Sequence, residues 1–185
     1  MIGILRYSAG NTRSVQRAFE RLGIPVQLVE TREEILSASG LVFPGAGSAN
    51  AAMEDLERRD LPEVIRSLQI PFLGLCLGMQ LLFDSSEEGN TPCLGIIRGR
   101  VRALPDSVTK PHMGWNKLST GKYAYFVHSF VCEPEDQSLI TMTTRYGVDI
   151  CAGIRRKNFF GVQWHPEKSG DAGDDLLLSF VELCK

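Results

Sequence analysis

The sequence predicts an α/β protein with a mostly parallel central sheet, helices on both of its faces, and an antiparallel extension in its second half. Three observations lead there. Up to residue 83, short apolar runs alternate with amphipathic stretches, the pattern of strands joined by covering helices. Between Gly95 and Trp164 the strand-like runs follow one another across short turns, close enough for antiparallel pairing. The chain has 185 residues, of which 43% are hydrophobic and 23% charged, which suits one domain over residues 1–185 with a substantial core.

The elements follow in order. Ile2–Leu5 is an apolar strand leading into a polar turn at residues 8–11. Val15, Ala18, Phe19 and Leu22 then recur at helical spacing until Gly23 and Pro25 close the segment. Val26–Val29 is a second strand, residues 33–37 form a short helix, and residues 41–43 make a third strand ending in Pro44-Gly45-Ala46-Gly47-Ser48. Residues 53–68 are helical, with Pro62 expected to break or restart the helix. Residues 72–83, FLGLCLGMQLLF, read as a buried strand followed by a helix packed on it. Later strands are expected at residues 96–104, 125–132, 139–143, 149–154 and 159–164. Leu176, Leu177, Phe180, Val181 and Cys184 form one apolar face of a closing helix. Arg98, Arg100 and Arg102 alternate along one strand and read as a solvated face.

Bulk properties exclude several functions. A net charge of −2 offers no general attraction to nucleic acid or to an anionic membrane. No apolar run approaches the ~20 residues that span a bilayer, and the N-terminal apolar stretch is too short for a signal-peptide core. The five cysteines are odd in number, widely spread, and contain no C-x-x-C pair. That pattern suits a reducing, cytoplasmic setting without a disulfide frame or zinc site, and nothing in the sequence calls for a cofactor.

The chemistry centres on Gly74-Leu75-Cys76-Leu77-Gly78, a nucleophile-elbow spacing with cysteine in the place of serine. The flanking glycines let a strand turn sharply into a helix, and the helix N-terminus favours a thiolate. A lone buried cysteine would be ordinary packing; two glycines at this spacing favour the nucleophile. The base has three candidates, His112, His128 and His165. His165 stands at a strand end in Gln163-Trp164-His165-Pro166-Glu167, and two residues on, Glu167 shares its side of an extended chain. A carboxylate there fixes the imidazole tautomer and leaves the other nitrogen for the sulfur, as in a Cys-His-Glu triad. Alone, His-Pro-Glu would be a surface turn.

A developing oxyanion needs backbone donors. Leu77 supplies one by elbow geometry, and the Gly45, Ala46 and Gly47 loop can supply another. That loop lacks the Lys-Ser/Thr of a P-loop and the third glycine of a dinucleotide loop, while a plain tight turn remains open for it. Gln80, one helical turn after Cys76, either touches substrate or satisfies nearby backbone. Residues 111–116, with Trp115 beside Gly114 and Asn116, read as a loop carrying either an exposed contact surface or a packed tryptophan.

Gly-Leu-Cys-Leu-Gly-Met-Gln together with Gln-Trp-His-Pro-Glu resembles the class I, triad-type, glutamine amidotransferases. Pro111-His112-Met113-Gly114-Trp115-Asn116, the aromatic run at residues 125–130 and Pro166-Glu167-Lys168-Ser169 narrow the resemblance to the glutaminase subunits of imidazole glycerol phosphate synthase. The likeness spans nearly the whole chain. It implies a flavodoxin-like, class I amidotransferase fold and hydrolysis of L-glutamine to glutamate and ammonia. By the same resemblance Cys76, His165 and Glu167 are catalytic, and the backbone of Gly45, Ala46, Gly47 and Leu77 holds the oxyanion. Gln80 and the Ser129-Phe130 backbone would hold glutamine. Trp115 and Asn116 would face the partner of a heterodimer, a (β/α)8-barrel cyclase that receives the ammonia. Two departures stand out: Arg6-Tyr7-Ser8-Ala9-Gly10-Asn11 where the family has Asp-Tyr-Gly-x-Gly-Asn, and no large aromatic near Ala49. Other readings are a glutaminase serving another synthase, such as that of pyridoxal phosphate, and a non-catalytic protein-binding module.

Overall fold

The computed structural model describes residues 1–7 and 11–185, so most of the expected polar turn at residues 8–11 lies outside the described residues. In chain order the elements are β1 (Ile2–Leu5), α1 (Thr12–Arg21), β2 (Val26–Val29), α2 (Arg32–Ser37), β3 (Gly40–Phe43), α3 (Ala49–Arg58) and α4 (Leu61–Arg66). After them come β4 (Phe72–Leu75), α5 (Leu77–Gln80), β5 (Ser85–Ser86), β6 (Thr91–Pro92) and β7 (Gly99–Ala103). The chain ends with β8 (His112–Lys117), β9 (Tyr123–His128), β10 (Phe130–Pro134), β11 (Ile140–Tyr146), β12 (Val148–Arg156), β13 (Phe159–Val162) and α6 (Gly170–Leu183).

A seven-stranded sheet in the order β11-β12-β13-β4-β3-β1-β2 forms the centre. The five strands from β2 to β13 run parallel, while β12 and β11 pair antiparallel and extend one edge. This is the expected α/β class, and the reason is visible in the side-chain alternation. Leu41, Phe43 and Phe72 point to one face, where α2, α3 and α4 bury Ile35, Leu56 and Ile65. Val42, Leu73 and Leu75 point to the other, against Val15 and Phe19 of α1 and Leu177 and Phe180 of α6. Strands buried on both sides must be apolar throughout, as the four parallel-core residues of β4 are. Among the described residues no helix is long and apolar enough to cross a membrane.

Several expectations are corrected. The break near Pro62 occurs at Asp60, whose φ of 53° ends one helix, and Pro62 sits in the first turn of α4, where its missing N–H costs nothing. The helix expected after Cys76 is a single turn; beyond it Leu82 and Phe83 donate to carbonyls three residues back, the tighter 3₁₀ pattern. The 125–132 run divides at Ser129 into β9 and β10, which belong to different sheets. Residues 111–116 are not a loop: His112–Lys117 pair antiparallel with Tyr123–His128 in a separate hairpin, standing on the α6 side of the sheet. Arg98, Arg100 and Arg102 are exposed as expected, and Arg100 and Arg102 lie near Glu133 across the β7–β10 pair.

Candidate active site

Cys76 lies at the end of β4 with φ 48° and ψ −102°, a backbone position that L-residues adopt only under constraint. The constraint is crowding. A methyl group on Gly74 would overlap the Gly78 carbonyl, and one on Gly78 would come within 2.5 Å of the Phe43 carbonyl oxygen on β3. Strand and helix turn can meet this closely only without side chains. Hydrogen bonds lock the turn: the Cys76 N–H donates to the Val162 carbonyl at 2.7 Å, and its carbonyl accepts from the Met79 and Gln80 amides at 3.1 Å each. Because α5 is one turn long, what it offers the site is its free first-turn amides, Leu77 first, more than a summed helix dipole.

The base arrives on the neighbouring strand. His165 follows β13, and its N–H donates to the Tyr125 carbonyl of β9 at 2.9 Å. Its Nδ1 lies 2.8 Å from Glu167 Oε1, with both side chains nearly fully buried. The two meet through a 3₁₀ turn at Pro166–Lys168, not through the extended alternation expected from spacing two. Burial opposes charge on the ring. Against it, the Cys76 sulfur and Glu167 act as hydrogen-bond acceptors and negative neighbours and raise His165 to about 10. Nε2 is buried and, among the described residues, makes no hydrogen bond, which leaves it unengaged on the side opposite Glu167.

Cys76 and His165 share a cavity of about 380 Å³. Gly45, Ala46, Gly47 and Leu77 line it on one side, and Gln80, Ser129 and Phe130 on the other, so the structure brings these predicted residues together. Glu167 lies behind His165. A side chain at Gly45 would overlap the Leu75 carbonyl and reach within 2.6 Å of Cys76 Cβ, which ties this loop to the elbow.

Ala46 needs a correction of detail. Its N–H donates to Tyr7 Oη at 3.1 Å, while the Tyr7 hydroxyl approaches the carbonyls of Ala46 at 2.5 Å and Pro44 at 3.0 Å. In this conformation the Ala46 amide faces a phenol and not the cavity, so donors from this loop fall to its glycines. Burial, the largest influence, pushes the Tyr7 hydroxyl well above its ordinary range, which keeps it a neutral donor.

Gln80 satisfies nearby backbone, one of the two readings open for it. Its Nε2 donates to the Phe130 carbonyl and to Gln163 Oε1, each at 3.1 Å, and its own oxygen takes no part in those bonds. Gln163 Nε2 in turn donates to Cys76 Sγ at 3.5 Å. The Phe130 carbonyl also accepts from His128 Nδ1 at 2.8 Å. Because a carbonyl can only accept, Nδ1 of His128 carries the proton and its Nε2 must accept from His112 Nδ1, 2.9 Å away. His112 Nε2 then accepts from Asn116 Nδ2 at 3.2 Å. Burial pushes both rings down to about 4, consistent with one proton on each.

Trp115 and Asn116 do not share a surface. Neighbours in a strand face opposite ways. Trp115 is 58% exposed with Met113 and Tyr123 on the outer face of the hairpin, whereas Asn116 turns inward to His112 and to the Arg145 carbonyl. Sequence reasoning missed Tyr7, Gln163 and the paired histidines. Gln163, a polar residue between Val162 and Trp164 in a buried strand end, was the readable signal.

A larger cleft of about 760 Å³ contains Cys132 and Cys151 with carboxylates but no histidine among its described lining residues, and burial raises both thiols, Cys151 to about 12. Among the described residues no cluster of three or more His, Cys, Asp or Glu side chains is placed to hold a metal.

The profile of the glutamine amidotransferase class-I family matches residues 4–182. An imidazole glycerol phosphate synthase subunit HisH of Moorella thermoacetica is 40% identical, covering 100% of this chain and 95% of its own. The protein of the same name from Geobacillus kaustophilus is 44% identical over 99% of this chain and 97% of its own. A solved glutamine amidotransferase superposes with a TM-score of 0.82 at 20% identity, covering 99% of this chain and 98% of that one, which speaks for the fold.

Proposed function

The chain belongs to the class I glutamine amidotransferase family, and on that premise we propose that it is the glutaminase subunit of an imidazole glycerol phosphate synthase, acting as one domain over residues 1–185. The observation that carries the mechanism is the meeting, in one cavity, of a strained elbow cysteine and a buried His165–Glu167 pair.

Glutamine enters with its side-chain carboxamide over Cys76. The thiolate attacks the amide carbon, the C–N bond breaks, and His165 gives its proton to the departing nitrogen, which leaves as ammonia. The oxyanion formed in passing accepts hydrogen bonds from the Leu77 amide and from a glycine amide of the Gly45–Gly47 loop. Water then attacks the thioester, passing one proton to His165. The sulfur leaves as thiolate, glutamate departs as carboxylate, and the remaining proton is released. Glu167 keeps the imidazole in orientation and stabilises its charge. Gln80 Oε1 and the Ser129-Phe130 segment hold the substrate.

Ammonia passes to a (β/α)8-barrel cyclase without entering bulk water, and the cyclase uses it to make imidazole glycerol phosphate and an aminoimidazole carboxamide ribonucleotide. The outer hairpin face with Trp115 faces that partner, its exposed apolar side chains being of the kind protein interfaces use. The test is a glutaminase assay with and without the cyclase and its nucleotide substrate. Glutamate release should rise on adding both, and Cys76→Ala should lower it by about a thousandfold or more. Undiminished hydrolysis in that variant would remove Cys76 from the mechanism. Co-purification with a different synthase would reassign the acceptor.

A further inference from the structure

Among the described residues, Cys76 Sγ makes two hydrogen-bonding contacts, and they favour opposite protonation states. The Val127 carbonyl of β9 lies 3.8 Å away and can only accept, so it suits the thiol. Gln163 Nε2 lies 3.5 Å away and donates, so it suits the thiolate. An amide can be turned end for end, which makes its orientation the deciding question. The surroundings answer it.

Reversing Gln163 would set its NH₂ against the NH₂ of Gln80 and its oxygen against the sulfur. Gln80 cannot reverse either, because its NH₂ also serves the Phe130 carbonyl. That carbonyl is held from its other side by His128 Nδ1–H. Each step leaves the next group one choice, and the last choice aims an N–H at sulfur. Gln163 is fully buried and its N–H donates to the Ala152 carbonyl at 3.0 Å, so the side chain springs from fixed backbone.

We propose that Gln163 is a further catalytic residue, an amide donor that stabilises the Cys76 thiolate both before attack and as the sulfur leaves the thioester, its donor end aimed by the Phe130 carbonyl through Gln80. The proposal rests on Cys76 being the nucleophile. Gln163 transfers no proton; it lowers the free energy of negative sulfur, which is lost when the thioester forms and regained when it breaks. Its effect is therefore on the thiolate fraction and on deacylation, not on glutamine binding.

Alkylation of the folded protein with iodoacetamide against pH, with peptide mapping, tests this. Besides Gln163 and Val127, the titratable groups that face or line the site among the described residues are His165 with Glu167 behind it, His128, Tyr7, Cys132, Glu88 and Lys168, and all stay unchanged in the variants. Wild-type Cys76 should label faster than Cys93, Cys132, Cys151 or Cys184, whose thiols burial raises. Equal labelling would refute the nucleophile itself, a failure separate from this one.

In Gln163→Met, which keeps the volume and deletes the donor, the labelling midpoint of Cys76 should rise by about one pH unit. The kcat for glutamine should fall by about tenfold with KM little changed. Gln163→Glu, which sets a carboxylate beside the sulfur, should raise the midpoint further. A folded Gln163→Met protein with the wild-type midpoint, or a Gln163→Glu midpoint at or below it, overturns the proposal. Should Gln163→Met not fold, Gln80→Met decides: releasing the clamp on Gln163 should raise the midpoint by a smaller amount, and an unchanged midpoint overturns it.

Discussion

Cys76 is held in place by crowding, and the hairpin facing it across the cavity is held by protons. At the elbow, Gly74, Gly78 and the Phe43 carbonyl approach so closely that only bare backbone fits, and the resulting turn forces φ at Cys76 to 48°. None of those contacts involves a titratable group. On the β9 side, Asn116, His112, His128 and the Phe130 carbonyl form a chain in which each ring accepts one hydrogen bond, donates one and carries one proton. Phe126 and Tyr146 stack on the His112 ring at centroid distances of 4.7 and 4.0 Å. One wall of the site is therefore set by sterics and indifferent to pH, while the other depends on two imidazoles remaining neutral. Gln80 and Gln163 join the two walls, and Cys76 receives both influences.

The elbow should break hardest. Gly74→Ala places a methyl group in the Gly78 backbone, where nothing flexible can give way, and should cost about 3 kcal/mol of stability by urea unfolding along with most of the glutaminase activity. A near-neutral result would mean that the turn relaxes easily and that crowding does not set the cysteine's conformation.

Next in size is Glu167→Gln, which tests the group poised between the two walls. His165 is raised to about 10, so the proposed step in which it protonates the departing amide nitrogen should fail only as pH climbs past that value. Removing the carboxylate takes away one acceptor and one negative charge. The falling limb of the pH–rate profile should move towards neutrality, and kcat should drop by about a hundredfold. A limb that stays in place would assign it to another group.

The smallest effect is expected in the hairpin, where the sign of the pH dependence is distinctive. In the fold both rings hold off protonation until about pH 4, whereas in the unfolded chain they take protons near 6.5. The unfolded state then binds more protons as pH falls, so stability is lost on going from pH 6.5 towards 4. His112→Asn should cost about 1 kcal/mol at pH 7 through lost stacking and make the decline between pH 6.5 and 5 shallower. An equally steep decline would show that the histidine pair is not its source, and the contrast between the two walls would fall.

The same division governs what could be read from residue order. Elbow, strands and the His165–Glu167 contact follow short-range rules: glycine spacing, apolar alternation, and a carboxylate near a histidine. They were legible, even where the local route differed, as with the 3₁₀ turn that joins His165 to Glu167. β8 reads as a loop from the sequence, with Pro111 before it and Gly114 within it, and Asn116 is grouped with Trp115 where the strand alternation is not recognised. Tyr7, 39 residues before Ala46, and Gln80, 83 before Gln163, meet across the sheet, and no local pattern announces such bonds.

By itself, then, the sequence determined the α/β class, the cysteine turn and the family, because steric patterning and glycine positions act over a few residues. Only the tertiary structure decided which way each polar group points: the Ala46 amide towards Tyr7, Asn116 inward, and the Gln163 amide towards sulfur. Hydrogen-bond direction is settled by what a partner can accept or donate, and those partners are brought together by folding.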